Sequence, residues 1–273
     1  MIEKKVLDHL LNTAKQVRRN IIELVGVGRA GHLGGSCSAA DVITALYFYK
    51  AKFDAKNPQW EDRDRILLSK GHAALCQYAA LGELGVFDKS EFTKVKSLGA
   101  MLQGHPDMTR CPGIEANTGS LGQGLSISLG MALGIRVDEK ASKVYCIIGD
   151  GEVGEGQIWE AAMAASSFGV DNLVAIVDRN FVQATDTVKN VLDSSDITTK
   201  FKAFGWETVE IDGHNMAAIM DALDQADTVK GKPFVIIANT VKGKGVAFAE
   251  GKAAYHNGTL TQEQYDQAIA GLQ

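Results

Sequence analysis

Two short apolar runs, each ending in oxygen-bearing side chains, constrain this chain more than any other feature. Val144-Tyr145-Cys146-Ile147-Ile148 is rich in β-branched residues and runs straight into Gly149-Asp150-Gly151. Leu173-Val174-Ala175-Ile176-Val177 runs into Asp178-Arg179-Asn180. Unbroken apolar runs of this length mark strands covered on both faces, as in a parallel sheet. A helical segment separates the two. If the strands lie side by side, Asp150 and Asn180 leave the same edge of the sheet, where open α/β sheets bind ligands. One carboxylate and one amide oxygen are too few to cage a metal alone. They suit Mg²⁺, a hard ion that takes oxygen ligands and shares its sphere with phosphates and water. Gly149 and Gly151 let the backbone approach a bulky anion closely. Gly-Asp-Gly by itself fits an ordinary strand-to-helix turn with a capping aspartate equally well. The second half, at matching depth, favours the ion.

The length of 273 residues accommodates one large α/β domain or two small ones. A net charge of −5, with no long Lys/Arg run, argues against nucleic acid as a partner. The charged opening Met1-Ile2-Glu3-Lys4-Lys5 lacks the apolar core of a signal peptide, and no apolar segment is long enough for a membrane span. Cys37, Cys76, Cys111 and Cys146 are widely spaced and read as reduced thiols of a cytoplasmic protein.

Taken in order, residues 3–27 place Val6, Leu10, Ala14, Val17, Ile21 and Leu24 on one helical face. Gly31-His32-Leu33-Gly34-Gly35-Ser36 follows, with Ser38 or Asp41 as a cap for the next helix. Ile66-Leu67-Leu68 is a short strand that ends in Ser69-Lys70-Gly71-His72, the start of a helix whose free amides make an anion site. Strand, glycine, polar side chain and helix thus recur at His72 and at Asp150. Leu125 to Val137 is helical but loaded with Ser126, Ser128, Gly130 and Gly134, and reads as a buried packing helix at a subunit interface. Trp206–Ile211 and Phe234–Ala238 are further strands, with a helix over Asn215–Val229 between them. Lys242-Gly243-Lys244-Gly245 could cradle a phosphate, although it lacks P-loop spacing. Apolar runs alternating with helical segments predict a single α/β domain over 1–273, a mostly parallel sheet with helices on both faces.

Four of the six histidines, His32, His72, His105 and His256, sit in glycine-flanked loops. Beside a metal motif they point to a polyhydroxylated substrate, because neutral imidazoles exchange hydrogen bonds and protons with hydroxyls. Zinc-type Cys/His spacing and a Gly-x-Ser-x-Gly elbow are both missing from the sequence.

Gly-Asp-Gly followed about 30 residues later by Asn resembles the diphosphate-and-metal motif of thiamine-diphosphate enzymes. Glu152-Val153-Gly154-Glu155-Gly156-Gln157-Ile158-Trp159-Glu160-Ala161 is similar to transketolases in particular. Gly-His-Leu-Gly, Leu-Ser-Lys-Gly-His-Ala, Gly-His-Pro and Thr-Gly-Ser-Leu-Gly-Gln-Gly extend the resemblance, in order, from about Arg18 to Gly258. It implies a thiamine-diphosphate-binding fold and thiamine diphosphate held through Mg²⁺ or another divalent ion such as Ca²⁺. Asp150, Asn180 and the Val182 carbonyl would bind the ion. His72 and Gly151 would contact the diphosphate, and Gly119 and Leu121 would line the aminopyrimidine. His32, His105 and His256 would face the sugar and its proton transfers. Glu155 and Glu160 would connect paired active sites across a dimer. Arg179 stands where many relatives carry Asp or Asn, and Ser120 replaces a more usual proline; neither touches the ligand set.

The resemblance covers only the first domain of a transketolase. It implies the amino-terminal subunit of a split enzyme, whose partner chain would carry the pyrimidine-binding domain in a heterotetramer. The expected reaction moves a two-carbon ketol unit from a ketose phosphate to an aldose, including unusual sugar phosphates or sulfonated sugars. A deoxyxylulose-phosphate synthase-like subunit is an alternative, although Gly104-His105-Pro106 lacks that family's Gly-His-Ser-Ser. A non-catalytic paralogue that binds a partner is another.

Overall fold

The computed structural model describes residues 3–194 and 196–272. An amphipathic first helix, α1 (Lys4–Val25), buries Leu10, Ala14, Val17, Ile21 and Leu24 and stops where Gly26 takes a left-handed φ of 63°. Two short helices, α2 (Leu33–Ser38) and α3 (Ala40–Ala45), follow the Gly31-His32 turn. Neither Ser38 nor Asp41 caps α3, contrary to the expectation from sequence. Ser38 lies inside α2 and donates to Asp178, and Asp41 pairs with Arg18. Their polar groups serve buried partners from other parts of the chain instead of the local amides.

Strand β1 (Arg65–Leu68) leads through a 3₁₀ turn at Gly71–Ala73 into α4 (Ala74–Leu84). Next come α5 (Gln123–Val137), β2 (Val144–Gly149), α6 (Gly156–Ser167) and β3 (Leu173–Arg179). The chain then forms α7 (Val188–Val191), α8 (Ile197–Ala203), β4 (Glu207–Asp212), α9 (Met216–Thr228), β5 (Phe234–Asn239) and α10 (Gln262–Gly271). The five strands pair in parallel in the order β1-β2-β3-β5-β4.

Side chains along a strand alternate between faces, and this sheet is covered on both. Tyr145, Ile147, Val174 and Ile176 pack with α1, α4 and α9 on one side. Val144, Cys146, Ile148, Ala175 and Val177 pack with α5, α6 and α8 on the other. The helix after β1 and the helix after β2 therefore leave the sheet toward opposite faces. Adjacent strands whose following helices diverge open a crevice at their carboxyl ends, where ligands bind in open α/β sheets. Here Ser69–His72 and Gly149–Gly151 border that crevice.

The loops around it approach one another closely. A Cβ on Gly124, at the start of α5, would fall 2.3 Å from Ser69 Cβ and 2.6 Å from its Cα. The opposite side of α5 is open. Gly130 and Gly134 have nothing within 4 Å of a built Cβ, and Val137 is largely solvent-facing. Within this chain α5 is thus buried on one side only, and its other side is left open. Gly124→Ala should destabilise the protein by about 1–3 kcal/mol through overpacking, whereas Gly134→Ala should stabilise it by about 0.5–1 kcal/mol as an exposed helical site. Urea unfolding of both variants checks the contrast.

Candidate active site

Parallel pairing places Gly149 opposite Asp178, so Asp150 and Asn180 follow at the same edge. Both line a cavity of about 210 Å³, together with His72, Leu121, Gly151, Glu155, Val182, His256 and two lysines, Lys70 and Lys242. The Asp150 carboxylate accepts from Gly151 N–H at 2.9 Å and Phe181 N–H at 2.6 Å. Burial and the charge of Asp178 still push its pKa up to about 6. Among the described residues, no group of three or more His, Cys, Asp or Glu side chains could hold a metal. An ion here would have to draw on amide and carbonyl oxygens as well, which hard ions accept.

A cation already stands at one of those oxygens. The Lys242 ammonium donates to Val182 O at 2.8 Å, to Gln183 O at 3.2 Å and to His256 Nδ1 at 2.9 Å. Only 2 % of Lys242 is exposed, and burial together with Lys70 lowers its pKa to about 8. The Val182 carbonyl thus accepts from a buried ammonium. Lys70 differs from Lys242 in having a full counter-charge. It donates to Asp178 and, at 2.9 Å, to Gly35 O. Asp178 also accepts from Ser38, Thr240 and Asn180, so its pKa stays low despite full burial.

Glu152 organises the other side. Its buried carboxylate accepts from Gly122 N–H at 2.7 Å, from Gly149 N–H at 2.9 Å and from the Ser69 hydroxyl. One side chain thereby joins the loops after β1 and β2 to the turn that opens α5.

The four histidines expected from the sequence converge. The His32 ring centroid lies 5.2 Å from that of His72, 5.5 Å from His256 and 6.2 Å from His105. His105 packs on Gly119, where a Cβ would come within 2.7 Å of the ring. Burial lowers the pKa of His72 to about 2 and those of His32 and His256 to about 4; that of His105 falls for the same reason. They are neutral imidazoles near pH 7, able both to donate and to accept. His32 Nδ1 is buried with no hydrogen-bond partner among the described residues, a polar atom that a bound hydroxyl or phosphate oxygen would satisfy.

Of the other expected residues, Glu155 lines the cavity rim, and Glu160 lies exposed on α6 outside it. Lys70, Glu152 and Gln183 also line the cavity, and Asp178 stands behind it, although their motifs alone do not mark them as site residues. Lys70 was visible only inside the Ser69–His72 motif. The Lys/Gly tetrad did signal an anion site, and the structure divides it: Lys242 enters the cavity, whereas Lys244 points outward near Glu250.

Histidines whose folded pKa is depressed take up protons more readily in the unfolded chain, so acid pulls toward unfolding. Their contribution is complete above the unfolded value of 6.5 and is lost as pH falls toward about 4. Asp150, raised to about 6, works in the opposite direction and offsets part of the loss. Unliganded stability should therefore fall between about pH 6.5 and about pH 4.5. His72→Gln should make that slope shallower in urea unfolding, and an unchanged slope would contradict a neutral, buried His72.

Comparison with known proteins agrees with this geometry. The family model for "Transketolase, thiamine diphosphate binding domain" matches residues 11–272. The chain is 44 % identical to the 6-deoxy-6-sulfo-D-fructose transketolase subunit SqwG of Clostridium sp. (strain MSTE9), across 97 % of this chain and 96 % of that one. It is 40 % identical to an apulose-4-phosphate transketolase subunit of Phocaeicola vulgatus, across 92 % of this chain and 89 % of the relative. The transketolase structure from Leishmania mexicana superposes with a TM-score of 0.90 at 26 % identity, covering 96 % of this chain but 41 % of that protein. These relatives do not favour the synthase-like or non-catalytic alternatives. The chain belongs to the transketolase family, as an amino-terminal, thiamine-diphosphate-binding enzyme subunit.

Proposed function

We propose that this chain is the diphosphate-holding half of a two-chain transketolase, active only beside a carboxyl-terminal partner that carries the pyrimidine-binding domain. The observation that carries this reading is the facing of Asp150, Asn180 and the Val182 carbonyl across a cavity walled by neutral histidines and lysines. Its support also includes the two relatives above, which are named as subunits and which this chain spans almost end to end.

Thiamine diphosphate, when bound, supplies the nucleophilic carbon that breaks the bond between the ketose carbonyl and its neighbour. The chain's own residues bind and orient. Asp150, Asn180 and Val182 O would hold Mg²⁺ or Ca²⁺, which would neutralise the diphosphate, and the Lys242 ammonium stands beside Val182 O as a further positive charge at that site. His72 and the Gly151 backbone would complete the diphosphate cradle, and Gly119 and Leu121 would border the aminopyrimidine. His32, His105 and His256 contact the sugar hydroxyls and move protons at the reacting carbons, a role open to imidazoles kept neutral by burial. Glu155, at the rim, and Glu160 link paired sites between two copies of this subunit.

The substrate is a ketose with a terminal anionic group, phosphate or sulfonate, in keeping with the names of the two relatives. The chain acts as a single domain in the cytoplasm. Among the described residues no helix is long and apolar enough to cross a membrane, and neither nucleic acid nor a membrane is a partner. Two copies of this chain and two partner chains form a heterotetramer.

Asp150→Ala removes the only charged ligand of the ion. Thiamine diphosphate affinity, measured by calorimetry with Mg²⁺ present, should fall by on the order of 100-fold, the loss of about 3 kcal/mol of charge-assisted contact. Unchanged affinity would refute the ligand set. The purified chain alone should show no ketol transfer on a panel of ketose phosphates and sulfonates. Adding the partner should restore it, and full turnover by the isolated chain would defeat the split-enzyme reading.

A further inference from the structure

His214 lies outside the cavity, in the turn between β4 and α9, yet both of its ring nitrogens are engaged. Nε2 accepts from Val241 N–H at 2.8 Å, and Nδ1 is 2.7 Å from the Asp41 carboxylate. A nitrogen that accepts from an amide carries no proton, so the Nδ1–H tautomer is present and donates to Asp41. Asp41 also binds Arg18 through two contacts of 2.8 and 2.6 Å, and Arg18 Nε donates to Lys244 O at 3.1 Å. The three side chains are largely buried, at 8 % exposure for Arg18 and Asp41 and 14 % for His214.

The network therefore ends on two points of one turn, the amide of Val241 and the carbonyl of Lys244. Lys242 sits between those points. On its inner side the turn is held by Gly243 N–H donating to Gly34 O at 2.9 Å and by Thr240 donating to Asp178. The Lys242 stem passes so close to Gly34 that a Cβ there would meet its Cγ and Cε at 2.9 Å. With the stem confined in this way, the position of the ammonium follows the position of the backbone. A shift of about an ångström would take Nζ out of hydrogen-bond range of the Val182 and Gln183 carbonyls.

We propose that Arg18, Asp41 and His214 form a positioning clamp that sets the 241–244 turn and thereby holds the Lys242 ammonium at the Val182 carbonyl. The clamp touches neither substrate nor cofactor. Its consequence for cofactor binding rests on the function proposed above, but its geometry does not.

The test is residue-resolved acetylation of the full chain with an amine-reactive ester, read by mass spectrometry, with exposed Lys202 as internal control. His214→Phe removes both contacts. His214→Gln keeps an acceptor for Val241 N–H. Lys242 should be protected in the wild type and should react about tenfold faster in His214→Phe, the effect of losing a charge-linked hydrogen bond. It should return to near wild-type protection in His214→Gln, with Lys202 unchanged throughout. A folded His214→Phe protein whose Lys242 stays as protected as in the wild type overturns the clamp. If that variant does not fold, ¹⁵N imidazole spectra of the wild type decide: the Nδ1–H tautomer at His214 supports the clamp, and the Nε2–H tautomer overturns it. Calorimetry of Lys242→Met with thiamine diphosphate and Mg²⁺ separates the two ideas. Wild-type affinity there would count against Lys242 acting at the ion-and-diphosphate site and would leave the acetylation result to decide the clamp.

Discussion

The buried Asp178 carboxylate is the point on which the rest of this structure depends. It sits at the end of a central strand, fully enclosed, where an isolated charge would be prohibitive. Lys70, Ser38, Thr240 and Asn180 all donate to it, and they arrive from the loop after β1, from α2, from the end of β5 and from the end of β3. Removing one partner of such a network leaves the others unsatisfied in a low-dielectric setting, so the four segments are held as a unit. The Glu152 carboxylate does the same for Ser69, Gly122 and Gly149. Two carboxylates thus fix the loops that surround the cavity.

The groups that remain inside are displaced from their ordinary protonation in a consistent way. Asp150 holds its proton too readily, and Lys242 and the histidines hold theirs too weakly. Burial is the first cause in every case, and like-charge neighbours add to it. A cation at Asp150 and an anion between the lysines would relieve both strains together. The unpartnered Nδ1 of His32 offers one more polar contact beside them. The arrangement also sorts Lys70 from Lys242. Lys70 is neutralised by Asp178 and serves the scaffold, whereas Lys242 donates to two carbonyls and an imidazole inside the cavity.

Much of this was legible in the amino-acid order. Apolar runs beside Gly-Asp-Gly and Asn180 located two neighbouring strands and the residues at their ends, because unbroken β-branched runs suit a parallel sheet. Four glycine-flanked histidines identified the loops that meet in space. The local capping roles considered for Ser38 and Asp41 failed because both polar groups turn to buried charged partners far away in sequence. The small residues of α5 signalled close approach, but composition could not say which side of the helix the chain itself would cover. Gly124 meets Ser69, whereas Gly130 and Gly134 face open space.

What the sequence determined by itself is therefore the strand periodicity, the sheet edge where polar residues collect and the chemical types gathered there. Each of these depends on neighbours within a few residues along the chain. Tertiary structure alone decided which carboxylates became scaffold and which lysine entered the site. It also decided how Arg18, Asp41 and His214 reach a single turn. These outcomes depend on burial and on donors from other segments, as with Lys70 and Asp178, 108 residues apart, and the cost of desolvating a charge is set only once the surrounding segments have packed.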